Sequence, residues 1–136
     1  MTYVIDACAF ISYYNKEPGG EVVKNLITDA VTGDSAIMIH RINLFEVYYD
    51  LFRSGGEDMT NDAMSDMDDF PIGIIDMVSE ELMKEAARFK LKYKVSVADA
   101  FALATAKLEN ATIVTADHHE FDPIEVAGEL SFLWIR

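Results

Sequence analysis

The sequence predicts an α/β fold in which a mostly parallel sheet of about five strands lies between two layers of helices, a three-layer α/β/α sandwich. Two observations predict this fold. Strand-length apolar runs alternate with longer segments whose apolar residues recur every three to four positions. The segments after the first three strands also exceed the dozen or so residues that a crossover between parallel strands requires. No repeat or linker interrupts the chain, so we expect a single domain over residues 1–136.

The first part of the chain alternates between short apolar strands and apolar or amphipathic helices. Residues 2–6 are strand-forming residues that run into a carboxylate, and an apolar helix follows over residues 7–14. The proline and glycines of residues 17–20 interrupt this helix. Residues 21–31 carry apolar side chains at helical spacing, and residues 36–39 form a short apolar strand.

The middle of the chain predicts two helices in succession. Leucine and aromatic residues at helical spacing indicate a helix over residues 42–53, which stops at the Ser-Gly-Gly sequence of residues 54–56. Residues 57–70 are acidic but keep methionines at helical spacing, which indicates a second helix with a methionine stripe. Pro71 ends that helix, and residues 72–77 form the third strand.

The last part of the chain supplies the remaining helices and strands. A Ser-Glu-Glu start predicts a helix over residues 79–93, and the almost uniformly apolar residues 97–108 predict a helix that is buried on most sides. Residues 112–115 and 131–135 form the last two strands. We expect residues 117–128 between them to form a loop with at most one helical turn.

The composition indicates a protein of the reducing cytoplasm that does not contact a membrane. No apolar run reaches the roughly eighteen residues of a membrane span, the start lacks a signal-peptide pattern, and one cysteine cannot form an internal disulfide. The formal net charge of −13 disfavours broad electrostatic attraction to nucleic acid. The candidates for local phosphate contacts are Lys90, Lys92 and Lys94, in the most basic segment of the chain.

Four acidic residues are flanked by apolar residues at positions where a parallel sheet binds ligands. Asp6 follows the first strand and Asp117 follows the fourth. Glu46 lies in the helix after the second strand, and Asp99 lies in the first turn of the buried helix before the fourth. Because ligands bind beyond the carboxyl ends of parallel strands, we expect the four side chains to meet there. Each of them alone also fits a simpler role as a helix cap, a turn residue or a solvated helix position.

Carboxylates that share a pocket repel one another, by roughly 4 kcal/mol for a pair about 4 Å apart at an effective dielectric constant near 20. Such a cluster raises the pKa values of its members or binds a cation. Oxygen ligands without a cysteine or histidine cluster favour a hard cation, Mg²⁺ or Mn²⁺. A metal bound in this way suits phosphodiester hydrolysis, because it polarises the phosphate, activates water and stabilises the leaving oxygen.

In this order and spacing, the four carboxylates and their surroundings resemble the PIN domain, most closely the VapC-type toxin ribonucleases of toxin–antitoxin pairs. The matching segments are INLFEVYY around Glu46, VADAFALATA around Asp99, TADHHEFD around Asp117, and Asp6 at the end of the first strand. The resemblance covers nearly the whole chain. It implies a ribonuclease that uses Mg²⁺ or Mn²⁺, with these four residues as metal ligands and catalytic residues. Hydrolysis of RNA would leave a 5′-phosphate and a 3′-hydroxyl.

The resemblance also implies supporting residues and partners. Thr115 matches a threonine that helps to orient the family's site, and Asn43 is a second candidate for that role. Cys8 stands where the family has a small polar residue, and we expect its thiol to lose or weaken a supporting contact. The implied partners are an RNA substrate contacted by the three lysines, an antitoxin protein and a second copy in a homodimer. The acidic, methionine-bearing residues 57–69 are the candidate antitoxin surface, with packing of the methionines on the protein's own sheet or on a second copy as the alternative.

Other functions compete with this interpretation. A PIN-like module that binds or regulates without cleaving is compatible with Cys8 and the acidic surface. A phosphatase of the haloacid dehalogenase type also starts at an aspartate after the first strand, but it needs a second aspartate where this chain has Cys8. A cysteine hydrolase would use Cys8 with His118 or His119, yet nothing in the sequence marks the thiol as activated, and an inert buried cysteine is favoured.

Overall fold

The structure is a computed structural model that describes all residues 1–136. Its strands are β1 Thr2–Ile5, β2 Ala36–His40, β3 Ile72–Ile75, β4 Thr112–Thr115 and β5 Phe132–Trp134. Its helices are α1 Ala7–Tyr14, α2 Gly20–Val31, α3 Arg41–Asp68, α4 Glu80–Tyr93, α5 Val97–Leu108 and α6 His118–Ala127. None of these helices combines the length and the apolar character that crossing a bilayer requires.

The five strands form one fully parallel sheet in the order β3-β2-β1-β4-β5. Strand β1 is central: Tyr3 lies opposite Ile37 of β2, and Val4 lies opposite Ile113 of β4. The chain builds outward from β1 through β2 and β3, and then returns to place β4 on the other side of β1. The strand order therefore reverses between β1 and β4, which is where sheets of this kind bind ligands.

Apolar side chains on the two faces of the sheet form two cores, and the predicted three-layer sandwich is confirmed. One core packs α1, α2 and α3 against the sheet and includes the fully buried Phe10 and Leu51. The other packs α4, α5 and α6 on the opposite face and includes the fully buried Phe89. The adjacent residues Val4 and Ile5 of β1 point into opposite cores, as the pleat of a strand requires.

Helix α3 is interrupted at Gly56, where the sequence predicts a break between two helices. Gly56 has a φ of 81° and a ψ of −177°, and a residue with a Cβ rarely adopts such a positive φ. Beyond the break, Met67 is buried and Met59 and Met64 pack against the first core. The methionine stripe therefore packs on this protein itself, as the alternative interpretation expected. The acidic side chains of the segment stay exposed: Glu57, Asp58, Asp62, Asp66, Asp68 and Asp69.

The prediction of a loop over residues 117–128 was wrong, because residues 118–127 form helix α6. Phe121 and Ile124, three positions apart, are fully buried in the second core. The sequence signal of this burial is weak, since only four of the ten residues of α6 are apolar and Pro123 removes a helical hydrogen bond. Burial of the two side chains outweighs that loss, and the helix continues past the proline.

Strand β3 ends at Ile75, two residues earlier than predicted. The residues that follow it contact the start of α3 instead. The Met77 carbonyl accepts a hydrogen bond from Nε2 of the buried His40 at 3.1 Å. Nδ1 of His40 accepts the N–H of Ile42 at 3.1 Å and so caps α3. These two contacts hold the first turn of the helix that carries Glu46.

Candidate active site

A cleft of about 580 Å³ lies beyond the carboxyl ends of β1 and β4, at the reversal of strand order. Six acidic residues line it, and they include the four that the sequence predicts: Asp6, Glu46, Asp50, Asp99, Asp117 and Glu120. The other lining residues are Ala7, Cys8, Ile11, Phe45, Tyr49 and Ser96, so no Lys, Arg or His lines the cleft. The fold thus brings together carboxylates from four separate segments of the chain.

Asp6 is both a helix cap and the most buried carboxylate of the cleft. Its Oδ1 accepts the N–H of Ala9 at 2.9 Å and caps α1, and its Oδ2 accepts the hydroxyl of Thr115 at 2.5 Å. The residue is only 5% exposed. Burial raises the pKa of the Asp6 carboxyl to about 6, although its hydrogen bonds favour the ionised form. The two interpretations of Asp6 from sequence, cap and site residue, are therefore compatible.

Thr115 connects Asp6 to Asp117 across the two central strands. Its side chain is fully buried and donates to Asp6, while its oxygen accepts the N–H of Asp117 at 3.0 Å. Pairing of β1 with β4 places the ends of these strands side by side and so makes both contacts possible. Thr115 therefore fixes the orientation of the Asp6 carboxylate and the path of the backbone at Asp117.

Cys8 keeps a contact with Asp6, so of the two outcomes expected from sequence, loss or weakening of a supporting contact, loss is not seen. The Sγ atom lies 3.2 and 3.4 Å from the two carboxylate oxygens of Asp6 and 3.6 Å from Oγ1 of Thr115. The N–H of Ala116 approaches the same sulfur at 3.5 Å. A thiol is a weaker donor than a hydroxyl, so the contact is retained in a weaker form.

We expect Cys8 to react slowly with a chromogenic disulfide reagent while the protein is folded. Burial, and next the charge of Asp6, raise the pKa of this thiol to about 12, so almost no thiolate exists at pH 8. Labelling of the native protein should be at least about tenfold slower than labelling in guanidinium chloride, followed by absorbance at pH 8. Equal rates in the two states would contradict the partial burial of Cys8 and its raised pKa.

The positions of the two histidines exclude the cysteine-hydrolase alternative. His118 binds Asp122 at 2.8 Å and the Arg136 carbonyl at 2.9 Å, and its ring stacks on Trp134. His119 is almost fully exposed, with 93% of its side chain accessible. Neither imidazole contacts Cys8, so the thiol has no base to activate it.

Glu46 and Asp99 are partly buried on α3 and α5, two helices in contact with each other. Burial raises the pKa of the Glu46 carboxyl, and the charges of Asp99 and Asp6 raise it further. Burial likewise raises the pKa of Asp99, with added repulsion from Asp117 and Glu120. Ionising all of these groups together is unfavourable without a cation.

Asn43 holds α3 and α5 together beside these carboxylates. Its buried Nδ2 donates to the Ala98 carbonyl at 3.0 Å, one residue before Asp99. Its amide also partly offsets the raised pKa of Glu46. Asn43 therefore sets the spacing between the helices that carry Glu46 and Asp99, while its Oδ1 has no hydrogen-bond partner.

Three helices begin at the cleft and direct their N-termini toward the carboxylates. Asp6 caps α1, Asp117 caps α6 by accepting the Glu120 N–H at 3.2 Å, and Ser96 caps α5 by accepting the Asp99 N–H at 3.1 Å. The positive ends of these helices offset part of the negative charge. The pKa values of Asp6 and Asp99 remain raised, so the helix ends do not balance the cluster.

The donor set of the cleft fits a hard divalent cation, since all its charged groups are carboxylates. The side chains do not yet form a ligand cage, because no three Asp, Glu, His or Cys side chains are close enough together to hold one ion. Asp6 is fixed by its hydrogen bonds.

The three candidate lysines lie outside the cleft, at the end of α4. Lys90 donates to the Val95 carbonyl at 2.9 Å, and Lys92 pairs with Glu129 at 3.2 Å. Lys94 forms neither an ion pair nor a side-chain hydrogen bond. The sequence does not reveal the pairing of Lys92, because Glu129 is 37 positions further along the chain. A role for these lysines in RNA binding stays a prediction, which now depends mainly on Lys94.

Other cleft residues are weaker candidates from sequence. Asp50 lines the cleft and pairs with Arg53 at 2.6 Å, whereas its position four residues after Glu46 is also compatible with a solvated helix face. Glu120 is from sequence either an outer carboxylate of the site or, as the favoured alternative, a solvated loop residue, and it lines the cleft because α6 orients it. Phe45 directly precedes Glu46, and Tyr49 follows it by three positions. Their helical spacing is the sequence signal that places both rings near Glu46 at the cleft.

Comparison with known families identifies this fold. The model of the PIN domain matches residues 3–126, and the chain belongs to the PIN domain family. The resemblance inferred from the sequence is therefore confirmed at the level of the family. No curated protein sequence matches the chain significantly.

Solved structures share the fold over nearly the whole chain. The VapBC2 complex from Rickettsia felis, bound to a DNA fragment from its promoter, contains a chain 22% identical, with a TM-score of 0.78 and 98% of both chains covered. VapBC-1 from nontypeable Haemophilus influenzae gives 16% identity and a TM-score of 0.73, covering 99% of this chain and 98% of that one. VapC20 of Mycobacterium tuberculosis, a toxin that cleaves the sarcin–ricin loop, gives 14% identity and a TM-score of 0.63, covering 82% and 86%.

Proposed function

We propose that this protein is a metal-dependent endoribonuclease that hydrolyses RNA, and that it is the toxin of a toxin–antitoxin pair. The observation that carries the proposal is the cleft of the PIN fold, in which six carboxylates converge without a basic side chain. Similarity to structures of VapBC complexes supports the toxin–antitoxin assignment. Of the three candidate lysines only Lys94 is without a partner, which argues against a broad electrostatic RNA surface.

The proposed ligands of Mg²⁺ or Mn²⁺ are Asp6, Glu46, Asp99 and Asp117. When bound, the cation polarises the phosphate and lowers the pKa of a water molecule. Asp6 has a fixed position because Ala9, Thr115 and Cys8 contact its oxygens. Burial raises the carboxyl pKa values of Glu46 and Asp99, so either of them would suit the role of accepting a proton from the attacking water where it does not itself hold the cation.

The proposed partners follow from the same assignment. An antitoxin with basic and apolar residues complements the exposed acidic side chains between residues 57 and 69. A homodimer and a cytoplasmic location remain predictions from sequence. A contribution of Lys90, Lys92 and Lys94 to RNA binding is tested by the salt dependence of affinity, which should flatten when all three are replaced by alanine.

A cleavage assay tests the proposal directly. We expect the purified protein to cut members of a broad RNA panel in Mn²⁺ or Mg²⁺ and to leave them intact in EDTA. Expression should arrest growth, and Asp99→Asn should relieve the arrest. The matched control is Asp62→Asn, which removes an exposed carboxylate outside the cleft and should change neither result. Intact RNA across the whole panel with metal present would contradict a nuclease.

The second candidate function is a PIN-like binding module that does not cleave. The favouring observation is that no three side chains are placed to hold one metal ion. Calorimetric titration with Mn²⁺ separates the two functions, because a nuclease must bind the ion in a manner that depends on Asp6 and Asp99. A binding module should take up antitoxin or RNA equally well with and without metal.

A further inference from the structure

Helix α3 presents four exposed aromatic side chains on one face, which we call the aromatic face: Phe45, Tyr48, Tyr49 and Phe52. Their exposed fractions are 62%, 37%, 59% and 44%. Phe45 and Tyr49 lie one turn apart with ring centroids 6.5 Å apart, and Tyr48 and Phe52 stack at 6.1 Å with an interplanar angle of 21°. A contiguous patch of exposed rings on an otherwise acidic protein indicates a binding surface.

The aromatic face is continuous with the candidate active site. Phe45 and Tyr49 line the acidic cleft on either side of Glu46 in the sequence. Phe45 and Tyr48 also line a neighbouring, mostly apolar cleft of about 450 Å³. When the reacting group of a polymer lies among the carboxylates, the neighbouring units of that polymer would therefore contact these rings.

Apart from the proposed cation, the side chains near the cleft offer little attraction to phosphate. The cleft is lined only by acidic, neutral polar and apolar residues. The two arginines nearest to the rings in α3 are already paired, Arg41 with Asp76 at 2.6 Å and Arg53 with Asp50 at 2.6 Å. For the nucleotides next to the one at the cation, the exposed rings therefore offer contacts to the bases, which stack on aromatic rings irrespective of charge.

We propose that the aromatic face is a stacking platform for unpaired bases of single-stranded RNA next to the cleaved phosphate. The inference rests on the proposed function, which supplies RNA as the bound polymer. It adds that the bound segment is unpaired and is recognised by the faces of its bases. Bases in a duplex are already stacked on one another and cannot lie on these rings. Stacking also tolerates any base, so the platform supplies affinity and leaves sequence choice to other contacts.

Binding is measured separately from cleavage by placing every variant in the Asp6→Asn background with Mg²⁺, so that the RNA stays intact. The probe is an unpaired RNA of about ten nucleotides with central 2-aminopurine, whose fluorescence falls when it stacks. We expect quenching with Asp6→Asn alone. Adding Phe45→Ala and Tyr49→Ala should weaken binding at least about tenfold and abolish quenching. Adding Leu91→Ala, which removes a side chain that is 84% exposed on α4, is the matched control and should change nothing.

Two further comparisons make the outcome decisive. An RNA of the same length with abasic central positions keeps its phosphates and should bind as weakly as the aromatic double variant. A duplex of the same sequence should also bind weakly. Equal binding by the double variant, by abasic RNA or by the duplex overturns the platform, as does the absence of any RNA binding.

The remaining occupant of such a face is a second copy of this chain. Light scattering on the double variant tests this, because loss of a dimer by Phe45→Ala and Tyr49→Ala would assign the face to self-association and overturn the proposal. Failure of the proposed function gives a different pattern. A protein that never cleaves RNA but quenches the probe retains the platform, whereas one that cleaves without quenching lacks it.

Discussion

Replacing Asp6 with asparagine should lower the rate of RNA cleavage in Mn²⁺ by more than about a hundredfold. Residues that only support a metal ligand typically cost about 10–100-fold when they are lost, and Asp6 is the proposed ligand itself. The substitution preserves the fold, because the asparagine oxygen can still accept the Ala9 N–H that caps α1. The loss would therefore report on the charge of Asp6 and not on misfolding.

The measurement is kcat/KM on one cleaved RNA, with circular dichroism to verify the fold. Thr115→Val, which removes the hydroxyl that donates to Asp6, should cost about 10–100-fold. Asp62→Asn should leave kcat/KM unchanged. If Asp6→Asn retained activity within tenfold of the wild type, Asp6 would not be a metal ligand of the reaction.

Without metal, the stability of the protein should fall as pH rises from about 4 to about 6, through the titration of Asp6. The pKa of Asp6 is about 6 in the folded state, because burial disfavours its charge, and its usual value is 3.8. Between these values the folded state holds a proton that the unfolded state has lost. The free energy of unfolding therefore decreases with pH in this window, by at most about 3 kcal/mol once Asp6 is ionised.

Urea unfolding in EDTA at pH 4.5 and pH 7.5 measures this effect. Asp6→Asn should lose the part of the pH dependence that comes from Asp6, while Glu46 and Asp99 keep theirs, and it should be more stable than the wild type at pH 7.5, because position 6 then buries no charge. Mn²⁺ should stabilise the wild type at pH 7.5 and leave Asp6→Asn nearly unchanged, since binding favours the ionised carboxylate. Identical pH profiles for the wild type and Asp6→Asn would show that Asp6 is not buried as the structure describes.

Most of the architecture could be predicted because its signals are local. Apolar runs such as Tyr3-Val4-Ile5 and the helical spacing of residues 21–31 indicate an element without reference to the rest of the chain. The break at Gly56 was equally local, because a positive φ favours glycine. Helix α6 was missed because its stability comes from burying Phe121 and Ile124 under distant elements, a tertiary effect that overrides a weak local pattern.

The candidate site could likewise be predicted only in part. Asp6, Glu46, Asp99 and Asp117 were predicted because charged residues within apolar runs are costly unless they serve a purpose. Their environment was not predictable, since the pKa of Asp6 depends on burial and on Thr115, 109 positions away. The retained contact of Cys8 depends on the same pairing of β1 with β4.

The sequence by itself determined the α/β class and the PIN resemblance and predicted the four carboxylates, because these follow from periodicity and from motifs read along one segment at a time. Only the tertiary structure decided which charged side chains form ion pairs and which aromatic rings stay exposed. It paired Lys92 with Glu129 and Arg53 with Asp50, and it left the rings of Phe45 and Tyr49 exposed beside the cleft. The physical reason is that burial and pairing depend on which residues approach through space, and these approaches join segments that are separated in the sequence.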